Sequence, residues 1–193
     1  MNTNLAEENL SLIRTLMERA TVYRRALAPI MITTGVIGTT ASVFGMLGKL
    51  AASLQFLACW AGAAAVALLA GFALARREAL QEREAFWSPP TRRVALALLP
   101  AGAAGVIAAC VETDPTQLAG WWLLIYAVGL HGAGFFMPSG VRRLSWLFLL
   151  AGGVALGWKN SCSPHVVMGL GFGGLHLVYG IYLYATRARQ TSL

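Results

Sequence analysis

Long runs of apolar residues separated by short polar stretches make up the chain after residue 26. A helix needs about 20 residues to cross a bilayer, and most of these runs approach that length, although the fifth has only about 15. They are apolar all round, as suits lipid or a packed bundle. The pattern predicts an all-α polytopic membrane helix bundle with six transmembrane helices in three hairpins. The predicted spans are Leu27–Leu47, Leu50–Ala75, Val94–Val111, Trp121–Met137, Leu144–Trp158 and Val166–Ala185.

The first 26 residues have a different pattern. Leu12, Leu16 and Tyr23 follow helical spacing, while Arg14 and Glu18 stand four positions apart, as in a stabilising helical ion pair. We expect a cytoplasmic amphipathic helix over 1–26, a six-helix transmembrane domain over 27–187 and a short cytoplasmic tail over 188–193. The amphipathic helix either lies on the cytoplasmic leaflet or docks to a partner or a second copy.

Charge supports the membrane interpretation and gives it a direction. Only 12% of the residues are charged, compared with roughly 25% in soluble domains. The net charge of +7 does not indicate nucleic acid, because the arginines stand at the ends of apolar runs, where they set topology and contact anionic lipid. All arginines fall on one side of the span map, which places both termini in the cytoplasm and the protein in an inner membrane. The opposite side holds Lys49, Glu112, Asp114 and Lys159.

Two further patterns involve the arginines between and after the spans. The charged loop Arg76–Arg93 is expected to extend the second helix by two or three turns, until Pro89 and Pro90 stop it. His131 precedes Arg142 by the same spacing that separates His176 from Arg187, which suggests that the last two hairpins arose by duplication.

His131 and His176 are the candidate functional residues, because each interrupts an apolar run after Gly-Leu. Each lies ten residues after the expected outer boundary, or about 15 Å deep at 1.5 Å per residue. Two imidazoles near the midplane on neighbouring helices could ligate haem iron or a copper-type ion, or relay protons. Alternatively, they pack inside the bundle and hydrogen-bond to neighbouring helices, where the available partners are Thr39, Thr40, Gln55 and Tyr126. We expect the packing role and no bound cofactor.

The cysteines offer weaker chemistry. Cys110 and Cys162 both fall in the outer half of the map, where an oxidising compartment would permit a disulfide. Cys162 and His165 also form half of a possible metal site, with Glu112 or Asp114 nearby. Neither pattern carries enough ligands to predict a metal centre, and no sequence motif of an enzyme active site is present.

The opening stretch SLIRTLMERATVYRR, the stretch LHGAGFFMPSGVRRLSW and the closing stretch GFGGLHLVYGIYLYATR resemble a family of uncharacterised bacterial membrane proteins. Members have a similar Ile-Arg-x-x-Met-Glu-x-Ala opening and a Gly-Phe-Gly-Gly-Leu-His closing helix, in which His176 stands. The resemblance implies six helices and adds no catalytic residue.

The function that the sequence favours is that of a membrane-embedded helper or sensor without enzymatic activity, with possible self-association through its small residues. One alternative is a haem- or metal-binding membrane protein that uses His131 and His176. The other is a small-molecule permease with a polar path along threonines and a glutamine of the first two spans. These path residues are Thr33, Thr34, Thr39, Thr40 and Gln55.

Overall fold

A computed structural model describes residues 26–81, 86–158 and 162–188, and within these ranges the protein is all-helical, as expected. Six helices follow one another along the chain. The predicted amphipathic helix lies outside the described residues, as does the predicted tail apart from Ala188. The helices are α1 (Ala26–Leu47), α2 (Ser53–Gln81), α3 (Pro89–Val111), α4 (Pro115–Ala133), α5 (Gly140–Gly157) and α6 (residues 164–188).

In the part of the chain that the structure describes, four helices are long and apolar enough to cross a membrane, namely α1, α2, α3 and α6. The other two are shorter, with 19 residues in α4 and 18 in α5. Gln117 and His131 lower the hydropathy of α4, and Arg142 and Arg143 lower that of α5. Length and composition therefore support a membrane protein, but they do not by themselves make α4 and α5 transmembrane.

Helices α3 and α4 each begin with proline, and each begins earlier in the chain than the sequence predicted. Pro89 and Pro90 are the first residues of α3, so they start this helix instead of stopping α2, which extends to Gln81. Pro115 begins α4 well before Trp121, and the side chain of Asp114 caps it by accepting a hydrogen bond from the Thr116 amide at 2.9 Å. Proline suits the first helical position because its missing N–H has no intrahelical acceptor there.

Close contacts show that neighbouring helices run in opposite directions. Along the α1–α6 contact, Gly45 lies against His165, Gly38 against Gly173 and Gly35 against Leu177, so the numbers fall on one helix as they rise on the other. A Cβ on Gly38 would lie 2.8 Å from the Gly173 nitrogen. Only a residue without a side chain permits this backbone approach, as in other membrane helix pairs.

The α4–α5 and α3–α4 pairs are antiparallel by the same criterion. Gly120 of α4 packs against Leu156 of α5, and Gly152 of α5 packs against Leu124 of α4. The indole N–H of Trp122, on α4, donates to the Gly105 carbonyl of α3 at 2.9 Å. Helix α4 therefore packs against both α3 and α5, and eight of its 19 residues are buried.

Two apolar clusters divide the core along the bundle axis. One cluster joins α1, α4, α5 and α6 near the ends that carry the arginines, which we call the arginine end. It is built around Met31, Ala127, Leu144 and Leu183. The second cluster joins α2, α4 and α6 at the opposite end and is built around Phe56, Trp60, Leu118 and Met168.

Helices α2 and α3 contribute little to this core. Phe56 and Trp60 are the buried residues of α2, and every described side chain of α3 is at least partly exposed. Large apolar side chains such as Leu69 and Ile107 are exposed on these helices. Such surfaces suit lipid, in contrast to the polar surfaces of soluble helices.

The two hairpins proposed as duplicates differ where the repeat predicts similarity. Helix α4 ends at Ala133, shortly after His131, and the chain turns before Arg142 enters α5. Helix α6 instead continues from His176 through Arg187 to Ala188 without a break. The equal spacing in sequence therefore does not correspond to equal structure.

Candidate functional site

His176 lies inside the bundle with both ring nitrogens hydrogen-bonded. Its Nδ1 is 3.0 Å from the Phe172 carbonyl oxygen, and its Nε2 is 2.8 Å from the Tyr126 hydroxyl. A carbonyl only accepts, so Nδ1 carries the proton and donates it, and Nε2 accepts from Tyr126. Because His176 is only 1% exposed, this pair of bonds fixes a neutral imidazole between α4 and α6.

The Phe172 carbonyl is available to the His176 ring because α6 is irregular at this point. This helix is an α-helix over Pro164–Met168, a π-helix over Gly169–Leu175 and an α-helix again over His176–Ala188. At the end of the π segment, the amide of His176 donates to the Gly173 carbonyl. The Phe172 carbonyl therefore accepts a hydrogen bond from the His176 imidazole and not from the His176 amide. Single π turns are frequent at functional sites, where they re-aim side chains.

Aromatic rings surround the same pair. Phe148 of α5 contacts the His176 ring with centroids 5.2 Å apart, and Phe172 stacks on it at 6.1 Å. Tyr126 also packs edge-on against Phe148 at 4.9 Å. The cluster joins three helices at one level, and its polar atoms are bonded to one another. This arrangement matches the packing role expected of His176.

His131 lies at the end of α4 and has a different set of partners. Its Nδ1 is 3.0 Å from the Ser145 hydroxyl, which in turn donates to the Arg142 carbonyl at 2.7 Å. Ser145 has one hydroxyl proton and donates it to the Arg142 carbonyl. The Ser145 oxygen therefore accepts the hydrogen bond from Nδ1 of His131. His131 therefore ties the last turn of α4 to the first turn of α5.

The structure does not bring His131 and His176 together. Tyr126, five residues before His131, is the α4 residue that contacts His176, and His131 lies about 7.5 Å further along the helix. The expectation of equal depth was wrong because α4 begins at Pro115 and not near Trp121. A shared haem or metal site would require both histidines to give up their present partners.

A third histidine, His165, is buried at the opposite end of the bundle. Trp60 donates its indole N–H to Nδ1 at 3.1 Å, and Nε2 lies 3.0 Å from the Leu50 carbonyl. Indole only donates, so the proton is on Nε2. The backbone carbonyl of His165 also accepts from the Ser42 hydroxyl at 2.7 Å. One residue thus connects α1, α2 and the start of α6.

The sequence left His165 just outside the sixth predicted span and offered it, together with Cys162, as half of a possible metal site. The ring instead points into the bundle, where Gly45 leaves space for it. The described residues contain no group of three or more metal-ligating side chains. The three cysteines are free thiols, with Cys110 and Cys162 exposed and Cys59 partly buried. Apart from the presence of a tryptophan and a histidine, no feature of the sequence indicated that Trp60 would hydrogen-bond to His165.

The polar path suggested for a permease is not enclosed. Thr39 and Thr40 are exposed on α1, and Gln55 is exposed near the start of α2. Thr39 uses its hydroxyl on the Gly35 carbonyl of its own helix at 2.9 Å. This bond uses the hydroxyl proton within the helix, so towards a solute Thr39 can only accept a hydrogen bond.

Comparisons with protein-family models, with curated proteins and with solved structures found no match to this chain. The resemblance to bacterial six-helix proteins therefore stays a prediction. Fold and site together define a class: over the described residues the protein is all-helical, with four membrane-capable helices and a core joined by buried histidines.

Proposed function

We propose that the protein is an integral protein of a bacterial inner membrane that crosses the bilayer six times, with both termini in the cytoplasm. It acts as a non-enzymatic helper or sensor. The observation that carries the proposal is the alternation of helix directions, which extends to α4 and α5 although their composition is less apolar.

The short central helices are long enough for this role. At 1.5 Å per residue, the 19 residues of α4 and the 18 of α5 extend about 28 Å and 27 Å, close to the roughly 30 Å of a hydrocarbon core. Helix α4 also packs along α3 from Gly105 to Ala101. If α3 crosses the membrane, α4 beside it crosses too, and its polar residues are shielded by neighbouring helices.

The antiparallel arrangement also puts arginines from several helix ends at one end of the bundle. Arg77 stands near the end of α2, and Arg93 and Arg142 stand near the starts of α3 and α5. Lys49, Glu112 and Asp114 stand at the other end. The arginine end is therefore the cytoplasmic end by the positive-inside rule.

The helper or sensor role is supported by how the core histidines are used. His165 and His176 bond to Trp60 and Tyr126 and to backbone carbonyls, so they hold helices together. Such a core maintains a shape that a partner or lipid can recognise, and it favours this role over cofactor chemistry or permeation.

Deletion of the gene with quantitative proteomics of the membrane fraction tests the role. A helper predicts that at least one other membrane protein loses abundance or assembly, and that the wild-type chain restores it. A Tyr126→Phe chain, weakened in the core, should restore it incompletely. An unchanged membrane proteome combined with uptake of a solute by liposomes containing the pure protein would contradict the proposal and support the permease.

A further inference from the structure

The arginine end of the bundle carries a cluster of two cations and two aromatic rings, which we call the basic aromatic patch. It consists of Arg93, Phe135, Phe136 and Arg142. The guanidinium carbon of Arg93 lies 5.9 Å from the centre of the Phe136 ring, and that of Arg142 lies 5.1 Å from the centre of the Phe135 ring. Adjacent rings in one turn thus hold cations from two helices, α3 and α5.

The patch is open to its surroundings. Phe135 is 63% exposed and Phe136 is 43% exposed, and both arginines are exposed as well. Among the described acidic residues, Glu112 and Asp114 lie at the opposite end of the bundle, and Glu78 lies on α2. Stacking on a ring orients a guanidinium and leaves its N–H groups available for an anion.

The fold holds Arg142 in this position by two independent contacts. Its backbone carbonyl accepts from Ser145, which is itself held by His131. Its side chain passes over Gly134, where a Cβ would lie 2.5 Å from the Arg142 Cγ. A side chain at position 134 would displace the arginine, so the turn is shaped to let it pass.

The local electrostatics add to the positive potential of the patch. Both α3 and α5 begin at this end, and neither has an acidic residue in its first turn. The N-terminal end of a helix carries a partial positive charge, so Arg142 in the first turn of α5 is placed where a cation is disfavoured, and Arg93 follows the first turn of α3. An anion beside them relieves this repulsion.

We propose that the basic aromatic patch binds the phosphate headgroup of an anionic phospholipid in the cytoplasmic leaflet. Exposed aromatic side chains at the end of an apolar bundle lie at headgroup depth, as Trp and Tyr do in membrane proteins generally. The cations supply charge complementarity to the phosphate, and the phenyl rings contact the start of the acyl chains. The proposal rests on the proposed membrane insertion and adds a defined lipid site to it.

The test compares two charge-matched variants of the full chain. Arg93→Gln with Arg142→Gln removes the cations of the patch. Arg76→Gln with Arg77→Gln removes the same charge at the arginine end of α2, a helix that contributes no residue to the patch. Binding of phosphatidylglycerol and of phosphatidylcholine to protein purified in a neutral detergent is measured by native mass spectrometry, with and without millimolar inorganic phosphate.

We expect the patch variant to lose about 25-fold in affinity for phosphatidylglycerol, since each arginine directly beside the bound headgroup contributes about fivefold. The α2 variant should lose at most about threefold. Equal losses in the two variants would overturn the proposal, because they would show that only total charge matters. Displacement of the lipid by inorganic phosphate would overturn it in favour of a soluble anion.

A conservative pair keeps the test decisive if the glutamine pair does not fold. Arg93→Lys with Arg142→Lys retains the charge but loses planar stacking, so preference for phosphatidylglycerol over phosphatidylcholine should fall about fivefold without vanishing. An unchanged preference would overturn the site. If native protein and variants all fail to insert into bilayers, the proposed function fails instead, which is a separate result.

Discussion

The Tyr126 hydroxyl lies 2.8 Å from Nε2 of His176 and joins the central helix α4 to α6 at the level of the π segment. The partner of His176 on the neighbouring helix is therefore Tyr126 and not His131. The bond also means that His176 stays neutral and bonded on both sides, which accounts for a polar ring in an apolar run without any ligand.

Tyr126→Phe should therefore destabilise the bundle out of proportion to the single oxygen removed. Hydrogen bonds between membrane helices average about 0.6 kcal/mol, but here the loss leaves Nε2 of a buried imidazole without a donor, which costs about 1–3 kcal/mol. Unfolding in mixed micelles measures the difference. Tyr184→Phe is the matched control, because Tyr184 is exposed on the same helix as His176.

A double variant separates this bond from general packing. Combining Tyr126→Phe with His176→Phe should cost less than the two single changes added together, since each removes the same bond. Additive losses would show that the two residues act independently. A Soret band or stoichiometric metal that disappears with His176→Phe would instead establish the haem- or metal-binding alternative.

The glycines of the α1–α6 contact provide a second prediction. Gly38→Ala places a Cβ 2.8 Å from backbone atoms of α6, which cannot move without separating the helices. We expect a loss of about 1–3 kcal/mol in the free energy of unfolding, as for overpacking elsewhere. Gly62→Ala on α2 is the control, because its Cβ would meet nothing within 4 Å. A similar loss at both positions would contradict the close α1–α6 approach.

Accessibility labelling decides how often the chain crosses the membrane. In a chain without Cys59 and Cys110, the native Cys162 should react with an impermeant thiol reagent added to intact cells. Ser139→Cys, placed in the turn between α4 and α5 of a cysteine-free chain, should react only after permeabilisation. Reaction of position 139 from outside would show that the α4–α5 hairpin does not cross.

The N-terminal segment gives a prediction that depends on the sequence alone. A peptide of residues 1–26 should become helical on vesicles containing anionic lipid, as circular dichroism will show, because burial of each leucine contributes about 1.5–3 kcal/mol. Leu12→Asp with Leu16→Asp should abolish the change. A native peptide that stays unstructured on vesicles would rule out the interfacial helix and leave docking to a protein.

The sequence by itself determined the class of the protein. Lipid offers no hydrogen bonds, so a long apolar segment in it satisfies its own backbone by forming a helix, and runs of about 20 apolar residues indicate such helices from composition alone. The predicted spans overlap the helices from α1 to α6, and the span ends carry the arginines. Errors occurred where proline begins a helix, because Pro115 shifted the start of α4 by six residues, or about 9 Å.

Only the tertiary structure decided which polar groups meet. His176 hydrogen-bonds to Tyr126, and His165 hydrogen-bonds to Trp60. Both partners are distant in sequence from their histidines, so local sequence patterns do not indicate them. Those pairings depend on helix rotation, on where each helix starts and on the π segment of α6, whereas sequence periodicity assumes a regular helix. Hydropathy is a property of each segment alone, but a hydrogen bond between helices requires the position and rotation of both, which the packing of the whole bundle sets.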